Sequence, residues 1–302
     1  MRISEESSPF VSVIIPVYRN PDGLRICMDA LQKQTYPVGR FEVIVIDNGG
    51  NGDIEPLISR CANARLLCEE IPGSYAARNT GLREARGEII AFTDSDCIPA
   101  ARWIAAGVDA LDENPLVNLL SGQVDVFARN PEKPNLLETH QIVRGFHHER
   151  SVREEACSGT ANLLVYRELF EKIGPFREDL QSGADFEWTR RATSEGYLLA
   201  YDALTLVRHP ARFVLRDFVL RYVRTTGGRY QQGLDGSLHR LTISSLLRYL
   251  VPPVRSTLGE LPHHALGTPY RKLQFFIAEY LIQGIRLAET VRLALGGTPI
   301  RY

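Results

Sequence analysis

Three short apolar runs constrain this chain more than any other feature. Val11–Tyr18 (VSVIIPVY), Phe41–Ile46 (FEVIVI) and Glu88–Thr93 (EIIAFT) are each one strand long. Each stops on a polar cluster: Tyr18-Arg19-Asn20, Asp47-Asn48-Gly49-Gly50 and Asp94-Ser95-Asp96. Near-continuous apolar runs of this length belong to strands buried on both faces, as in a parallel sheet covered by helices on both sides. The segments between them carry helical patterns. Asp22 reads as the cap of a helix that runs to about Gln34, with Leu24, Cys27, Met28 and Leu31 on one face. Ile54–Ala62 reads as a short helix, Arg65–Cys68 as a strand, and Tyr75–Arg86 as a helix ended by Gly87. Pro99 opens a further helix with Trp103, Ile104, Val108 and Leu111 facing inward. Strands that alternate with helices predict an α/β fold with a doubly wound, mostly parallel sheet. In such sheets ligands bind outside the carboxyl ends of the strands, where the three polar clusters converge on one edge.

After residue 115 the pattern changes. Val117–Val126 and Ser158–Tyr166 read as strands, with a loop at Pro131–Pro134 and a polar helix over Glu138–Arg150 between them. Gly174-Pro175-Phe176 is a turn, Gly183–Gly196 a helix with an acidic start, and Leu198–Val207 an alternating strand that leads to Arg208-His209-Pro210. From about Phe213 the chain is helical, basic and amphipathic, broken at Pro252-Pro253 and Pro262–Pro269.

The formal net charge of −1 conceals an asymmetry. Residues 203–302 hold 14 Lys+Arg against 5 Asp+Glu, a net +9; residues 1–202 hold 21 against 31, a net −10. A basic carboxyl-terminal third points to an anionic partner such as phosphate, a lipid head group or a membrane surface; its alternative is a solvated helical face. Phe213–Tyr230 and Leu273–Leu295 interleave Arg with Leu, Ile, Val, Phe and Tyr. Such helices lie on a bilayer, or pack as a cap or a homodimer interface. No recognisable nucleic-acid motif accompanies them, so a nucleic-acid partner is not expected. Cys27, Cys61, Cys68, Cys97 and Cys157 are scattered without Cys-x-x-Cys spacing, which argues against a disulfide framework or a zinc site and for a reducing compartment. The first ten residues are polar and acidic, unlike a signal peptide, and no stretch approaches the roughly 18–20 apolar residues of a membrane-spanning helix. Together these point to a cytoplasmic protein with peripheral contact at the inner membrane face.

Asp94 and Asp96 carry the chemistry. Two carboxylates at a strand end repel each other and lose hydration unless a cation lies between them. A divalent-metal site that holds a diphosphate is the economical reading; a solvated Asp-x-Asp turn is the bland one. His147-His148 and His263-His264 have no partners at ligand spacing and read as surface residues. Trp188 reads as a core aromatic or as a stacking platform for an acceptor ring, and Cys157 has no base within its pattern.

The segments VSVIIPVYRN, VIVIDNGG and GSYAARNTGLREARGEIIAFTDSD, in that order, resemble the amino-terminal half of family 2 glycosyltransferases, which have the GT-A fold. GTANLLVYRELFEKIGPFREDLQSGADFEWTRRATSEGY resembles their acceptor half, and the similarity runs from about residue 10 to about residue 232. The resemblance implies a GT-A domain over residues 1–212, with a nucleotide-binding half at about 10–115 and an acceptor half at about 116–212. The basic helical extension then occupies 213–302. It implies transfer of a sugar from a nucleotide diphosphate-sugar, with UDP favoured, to an acceptor hydroxyl with inversion, using Mn²⁺ or Mg²⁺. The acceptor would be a saccharide or lipid-linked, in polysaccharide or glycolipid synthesis.

By the same resemblance Asp96 reaches the metal, and Asp94 approaches the ribose or the metal through water, with Ser95 between them. His209 is a candidate third ligand. Asp47 would bind the base, Pro16 and Tyr18 would line its pocket, and Arg78 would meet phosphate at a helix start. Asp185 matches the catalytic base, with Glu187 as the alternative base or an acceptor-orienting group. Asn48-Gly49-Gly50 and Ala184 depart from the usual acidic residues. Those departures keep open a second reading, a nucleotide-sugar-binding subunit without chemistry that serves a partner enzyme. A nucleotidyltransferase is disfavoured, because no Gly-rich, Lys/Arg-containing loop follows the first strand.

Overall fold

The computed structural model describes residues 8–50, 52–233 and 254–300. Its strands are β1 (Val11–Val17), β2 (Phe41–Asp47), β3 (Ala64–Cys68), β4 (Ile89–Thr93), β5 (Ile98–Pro99), β6 (Val117–Phe127), β7 (Asn162–Tyr166) and β8 (Leu198–Pro210). They form one eight-stranded sheet in the order β3-β2-β1-β4-β7-β6-β8-β5. The four strands β3, β2, β1 and β4 run parallel; β7 joins β4 antiparallel, and β6 joins β7 antiparallel. The register Val17↔Asp47 and Asp47↔Cys68 ends β1, β2 and β3 level with one another. Pro16 has no amide proton to donate, yet it sits in a central strand. The β4 ladder stops at Ile14↔Phe92, so Pro16 lies where β1 has lost one neighbour.

The helices are α1 (Pro21–Leu31), α2 (Glu55–Ile58), α3 (Ser74–Glu84), α4 (Trp103–Glu113), α5 (Leu136–Arg144), α6 (His148–Glu155), α7 (Glu168–Ile173), α8 (Ala184–Ser194), α9 (Leu215–Gln231), α10 (Val254–Glu260) and α11 (Pro269–Ala294). Several boundaries differ from the sequence expectation for local physical reasons. Asn20, not Asp22, caps α1: its side chain accepts from Gly23 N–H at 3.1 Å. Helix α3 ends at Glu84, ahead of Gly87. Ser12 Oγ and Glu42 capture the amides of Arg86 and Gly87 at 2.8–3.1 Å and pull the chain out of the helix. The polar stretch expected as one helix over 138–150 is two, α5 and α6, interrupted at Gly145-Phe146-His147. The break at Pro252-Pro253 lies outside the described residues.

The chain divides into two compact units. The first comprises Met1–Asp125, His147–Glu178 and Ala184–His209. Its core packs α1 and α4 against β1, β2, β4 and β6 through Val13, Ile15, Leu24, Met28, Val43, Val45, Trp103, Ile104 and Leu120. A buried polar staple crosses the second half of the sheet. Asn162 accepts from Trp103 Nε1–H at 2.8 Å and donates to the carbonyls of Gln123 and Thr205 at 2.8 and 2.7 Å. Every polar atom there is satisfied, so the staple costs no orphaned desolvation. Helix α3 approaches the sheet closely at Gly81, where an added Cβ would lie 2.7 Å from Ile14 Cγ2 and 2.9 Å from Ile46 Cδ1.

The second unit comprises Val126–Phe146, Asp179–Gly183 and Pro210–Tyr302. Here α11 packs on α5 and α9 through Leu137, Phe218, Tyr222 and Ile282. An ion-pair network lies among them. Glu279 accepts from His140 Nε2 at 2.7 Å and from Arg144 Nε at 2.8 Å, and Arg144 also donates to Glu260 at 2.9 Å. The His140 ring stacks on Phe275 with centroids 5.5 Å apart. Burial pushes the Glu279 carboxyl up, but the hydrogen bonds and charges of His140 and Arg144 outweigh it and hold it at about 2. Burial lowers the proton affinity of His140.

Gly81→Ala should destabilise the protein by about 1–3 kcal/mol through overpacking, read as a lower urea midpoint at unchanged slope. A carboxylate whose folded pKa is depressed contributes stability above its unfolded value and loses it as pH falls toward the folded one. Stability should therefore decline between roughly pH 4.5 and 2 through Glu279. His140 contributes a decline beginning near 6.5, where the unfolded chain takes up its proton. In Glu279→Gln the urea-measured stability should be lower at neutral pH and flatter across the acid limb.

Candidate active site

The carboxylate pair sits where β4 runs out of sheet. Asp94-Ser95-Asp96-Cys97 is a turn closed by Cys97 N–H donating to the Asp94 carbonyl at 3.1 Å. The next two residues form β5, which pairs antiparallel with β8 in the register Ile98↔Arg208. That register brings His209, the residue after Arg208, beside the turn, with Nε2 at 3.5 Å from Asp96 Oδ1. Ligand atoms of Asp94, Asp96, Cys97 and His209 all lie within 4.8 Å of one another. Two half-buried carboxylates with an imidazole form a donor set that suits Mg²⁺ or Mn²⁺. Cys97 is the member that sequence reading passed over. Burial, then the charges of Asp94 and Asp96, push its thiol well above the ordinary range, and Cys27 behind it is raised by the same causes. Ser95, between the two acids, is buried.

Arg78 lies under this turn rather than out in solvent. It is 4% exposed, and Nη2 donates to Asp94 Oδ1 at 2.6 Å. Its guanidinium carbon stands 5.6 Å from the Tyr75 ring centroid, and Nε is buried without a protein acceptor. Its charged partner in this structure is Asp94, which it orients, and Nη1 also donates to the Ser74 carbonyl at 3.4 Å. The neighbouring Asn79 clamps the chain after α7, donating to the Phe176 carbonyl at 2.9 Å and accepting from the Phe176 amide at 3.0 Å.

One turn back along α3, Tyr75 O–H donates to Asp185 Oδ1 at 2.9 Å. Thr160 donates to Asp185 Oδ2 from its amide at 2.9 Å and its hydroxyl at 3.2 Å. Three donors from two distant segments therefore fix this carboxylate. The backbone comes close here because residue 159 is glycine: a Cβ would sit 3.3 Å from Asp185 Oδ2 and 3.4 Å from His148 Nε2. His148 itself corrects the expectation of a surface residue, since it is buried. Its Nδ1 lies 3.0 Å from the Gly122 carbonyl, which can only accept, so Nδ1 carries the proton. Burial pushes His148 down to about 4, against the opposing influence of Gly122, Asp185 and Asp94. Ser121 Oγ bridges His148 Nδ1 at 3.1 Å and Ser158 Oγ at 2.6 Å. Glu187 is two residues beyond Asp185 on α8, about 200° round the helix. It pairs instead with Arg191 at 3.3 Å, which in turn binds the carbonyls of Ile173 and Pro175. The structure does not bring Glu187 to the donors that hold Asp185. Trp188 is fully buried and stacks on Phe170 with centroids 4.2 Å apart.

At the ends of β1 and β2, Asp47 Oδ1 accepts from Gly49 N–H at 2.8 Å, and Gly49 and Gly50 take φ of +93° and +82°. Half-buried Pro16 lies just before the level end of β1, and Tyr18, with Arg19 stacked 5.0 Å from its ring, just beyond it. Asn48, which stands where an acid was expected, is a scaffold. Its Nδ2 donates to the carbonyls of Glu69 and Ile71 at 2.9 and 2.8 Å, and its Oδ1 accepts from Gly73 N–H at 2.7 Å. It thereby pins the loop that enters α3. A carboxylate has no donor for those two carbonyls and would face them with like charge. Asn48→Asp should therefore cost about 2–3 kcal/mol, read in a urea titration, with Asn48→Ala nearly as costly.

The family model described as Glycosyl transferase family 2 matches residues 12–174. Glycosyltransferase AglE of Haloferax volcanii is 36% identical over 209 residues, 68% of this chain and 68% of that protein. Pre-mycofactocin glycosyltransferase of Mycobacterium tuberculosis is 29% identical over 224 residues, and the chain spans 45% of its length. Among solved structures, the mannosyltransferase PcManGT of Pyrobaculum calidifontis in complex with GDP-Man and Mn²⁺ superposes with a TM-score of 0.62 at 21% identity, covering 97% of this chain and 88% of that one. Residues 1–349 of S. aureus TarS give a TM-score of 0.53 at 16% identity, covering 95% and 90%. The fold is GT-A. A family match over more than half its length, with a relative aligned over two thirds, makes the chain a member of glycosyl transferase family 2 and a glycosyltransferase.

Proposed function

We propose that this glycosyltransferase moves a sugar from a nucleoside diphosphate-sugar to an acceptor hydroxyl with inversion, aided by a divalent cation. One observation carries the reading: Asp185 is held by Tyr75 from the same helix whose Arg78 holds Asp94. A candidate base and a candidate cation site are thereby coupled through α3. In this mechanism Asp185 takes the proton of the acceptor hydroxyl. The hydroxyl oxygen attacks the anomeric carbon from the face opposite the diphosphate, and the bond from that carbon to the diphosphate oxygen breaks. Four donors, Tyr75, Thr160 twice and the Phe186 amide, keep the Asp185 oxygens from swinging, which preserves the alignment that displacement needs. Asp96 and His209, with Asp94 directly or through water, would hold Mn²⁺ or Mg²⁺. When bound, that cation neutralises charge building on the leaving diphosphate. Arg78 holds Asp94 in place and adds positive charge beneath it. Asp47 would accept the N–H of the base between Pro16 and Tyr18, with Ser95 completing the turn around the donor.

The donor is read as a UDP-sugar from the family resemblance, and the acceptor as a saccharide or lipid-linked sugar in polysaccharide or glycolipid synthesis. The site is proposed to be cytoplasmic, at the inner membrane face, with peripheral contact through residues 213–302. No described helix is long and apolar enough to cross a membrane. The alternative, a nucleotide-sugar-binding subunit without chemistry, rests on Asn48 and Ala184. It is weakened because Asn48 has a structural task and Asp185 is present and oriented.

Thermal stability measured with UDP, GDP, CDP and dTDP, each with and without Mn²⁺, tests the reading. One diphosphate plus metal should stabilise the protein, by about 2.7 kcal/mol at a hundredfold excess over Kd. Asp96→Ala should abolish that shift. Asp185→Asn should keep it while losing transfer by about 10²–10⁴-fold. Retained binding in every variant, with no acceptor glycosylated by the wild type, would instead support the non-catalytic subunit.

A further inference from the structure

Among the polar clusters at the strand ends, Arg19 is the one charged side chain without a part in the proposed mechanism. Its backbone is held at φ +49°, in the left-handed region that glycine or asparagine enters at least cost. Ala156 is the one other non-glycine among the described residues with a positive φ. A long side chain kept in that conformation marks a place where something besides local backbone preference decides the residue. Arg19 is exposed and makes no hydrogen bond or ion pair among the described residues. Its guanidinium carbon stands over the Tyr18 ring, 5.0 Å from the centroid. The side chain then runs along Gly50, where an added Cβ would lie 3.1 Å from Nε and 3.3 Å from Cγ. Gly50 closes the cluster that follows β2, so Arg19 bridges from the end of β1 to the end of β2.

That bridge decides which part of a donor Arg19 can meet. The sheet order places β1 between β2 and β4, with Asp47 at the end of β2 and Asp94 and Asp96 beyond β4. Neighbouring strands are about 4.8 Å apart, so those two ends are about 10 Å from each other. The contact with Gly50 sets Arg19 on the β2 side. There it flanks Asp47, proposed to accept the ring N–H of the base, and stands apart from the turn proposed to hold the cation and the diphosphate. A carboxylate beside a guanidinium is a selective pair. It complements an N–H next to a carbonyl, the edge that uracil, thymine and guanine present. Cytosine carries no proton on the corresponding ring nitrogen, so in the same pose Asp47 would face a lone pair.

We propose that Arg19 is a specificity-determining residue of the donor site, its guanidinium donating to the base carbonyl adjacent to the ring N–H that Asp47 accepts. The inference rests on the nucleotide-sugar reading above and adds the class of base, one with an N–H beside a carbonyl. Calorimetric titration of wild type, Arg19→Gly and Arg19→Asn with UDP, GDP, dTDP, CDP and pyrophosphate, all with Mn²⁺, tests it. Glycine and asparagine both tolerate a positive φ, so neither variant should melt earlier than wild type without ligand. Wild type should bind one of UDP, GDP and dTDP at least about tenfold more tightly than CDP. Both variants should bind that preferred diphosphate about tenfold more weakly or worse, and bind CDP and pyrophosphate within about threefold of wild type. The preference over CDP thereby collapses, which a merely structural role would not produce. A lowered melting temperature with every ligand weakened alike would make Arg19 a support for Tyr18 and overturn the inference. Pyrophosphate weakened as much as the nucleotide would overturn it too, by assigning Arg19 to the diphosphate. So would a wild type that prefers CDP, or variants that keep the wild-type preference; in both cases nucleotide binding itself would stand. A wild type that binds none of the diphosphates would remove the nucleotide-sugar reading and this inference with it.

Discussion

The close approach of α3 to the sheet is the constraint on which the rest of the site depends. Only a hydrogen at Gly81 lets the helix settle against Ile14 and Ile46. From that seat Tyr75, Arg78 and Asn79 reach three different partners: Asp185, Asp94 and the chain at Phe176. A helix held further out would move all three contacts together. Its entrance is fixed by the Asn48 amide and its exit by Ser12 and Glu42, so polar side chains at the strands' two ends set its length as well as its position. Hydrogen bonds to buried backbone groups are costly to leave unmade, which is why these few residues govern a much larger assembly.

The electrostatics follow from the same seating. Each acid in the site has a defined counterpart: Asp94 has Arg78, Asp96 has His209, and Asp185 has four neutral donors, the Tyr75 hydroxyl, the Thr160 amide and hydroxyl, and the Phe186 amide. The difference is chemical. Asp94 and Asp96 sit with cationic or ligating groups, whereas Asp185 is aligned without a countercharge among those donors. The buried imidazole of His148, held neutral by burial and tethered to Gly122, is close enough to both environments to feel the charges of Asp185 and Asp94.

Much of this was legible in the sequence, and the remainder has an identifiable physical cause. The buried strands declared themselves because helices cover both faces, which leaves near-unbroken apolar runs, and the polar clusters at their ends followed from where those runs stop. Helix ends were less legible because distant side chains decide them: nothing near residue 85 reveals that Ser12 and Glu42 will take the amides of Arg86 and Gly87. Tyr75 and Asp185 lie 110 residues apart, and local periodicity carries no sign of their contact. The histidine of α6 was misread as exposed because its surroundings in sequence, His147, Glu149 and Arg150, are polar and do face solvent. The polar run of α5 was opaque for a related reason. Glu138, Thr139, His140 and Gln141 are all buried, and the partners that make burial tolerable, Glu279 and the Arg212 carbonyl among them, come from far along the chain.

The buried thiols behind the carboxylate turn have one more consequence. Cys27 and Cys97 are completely enclosed and protonated, while Cys68 is exposed. Alkylating reagents and oxidants attack the thiolate, so the enclosed pair is chemically silent as long as the turn stays closed. Its reaction is gated by the opening of the segment around it, on the free-energy scale of local unfolding. The molecule thus carries a built-in clock: once Cys68 has been blocked, the modification rate of Cys97 counts how often the strand end that bears Asp94 and Asp96 comes apart.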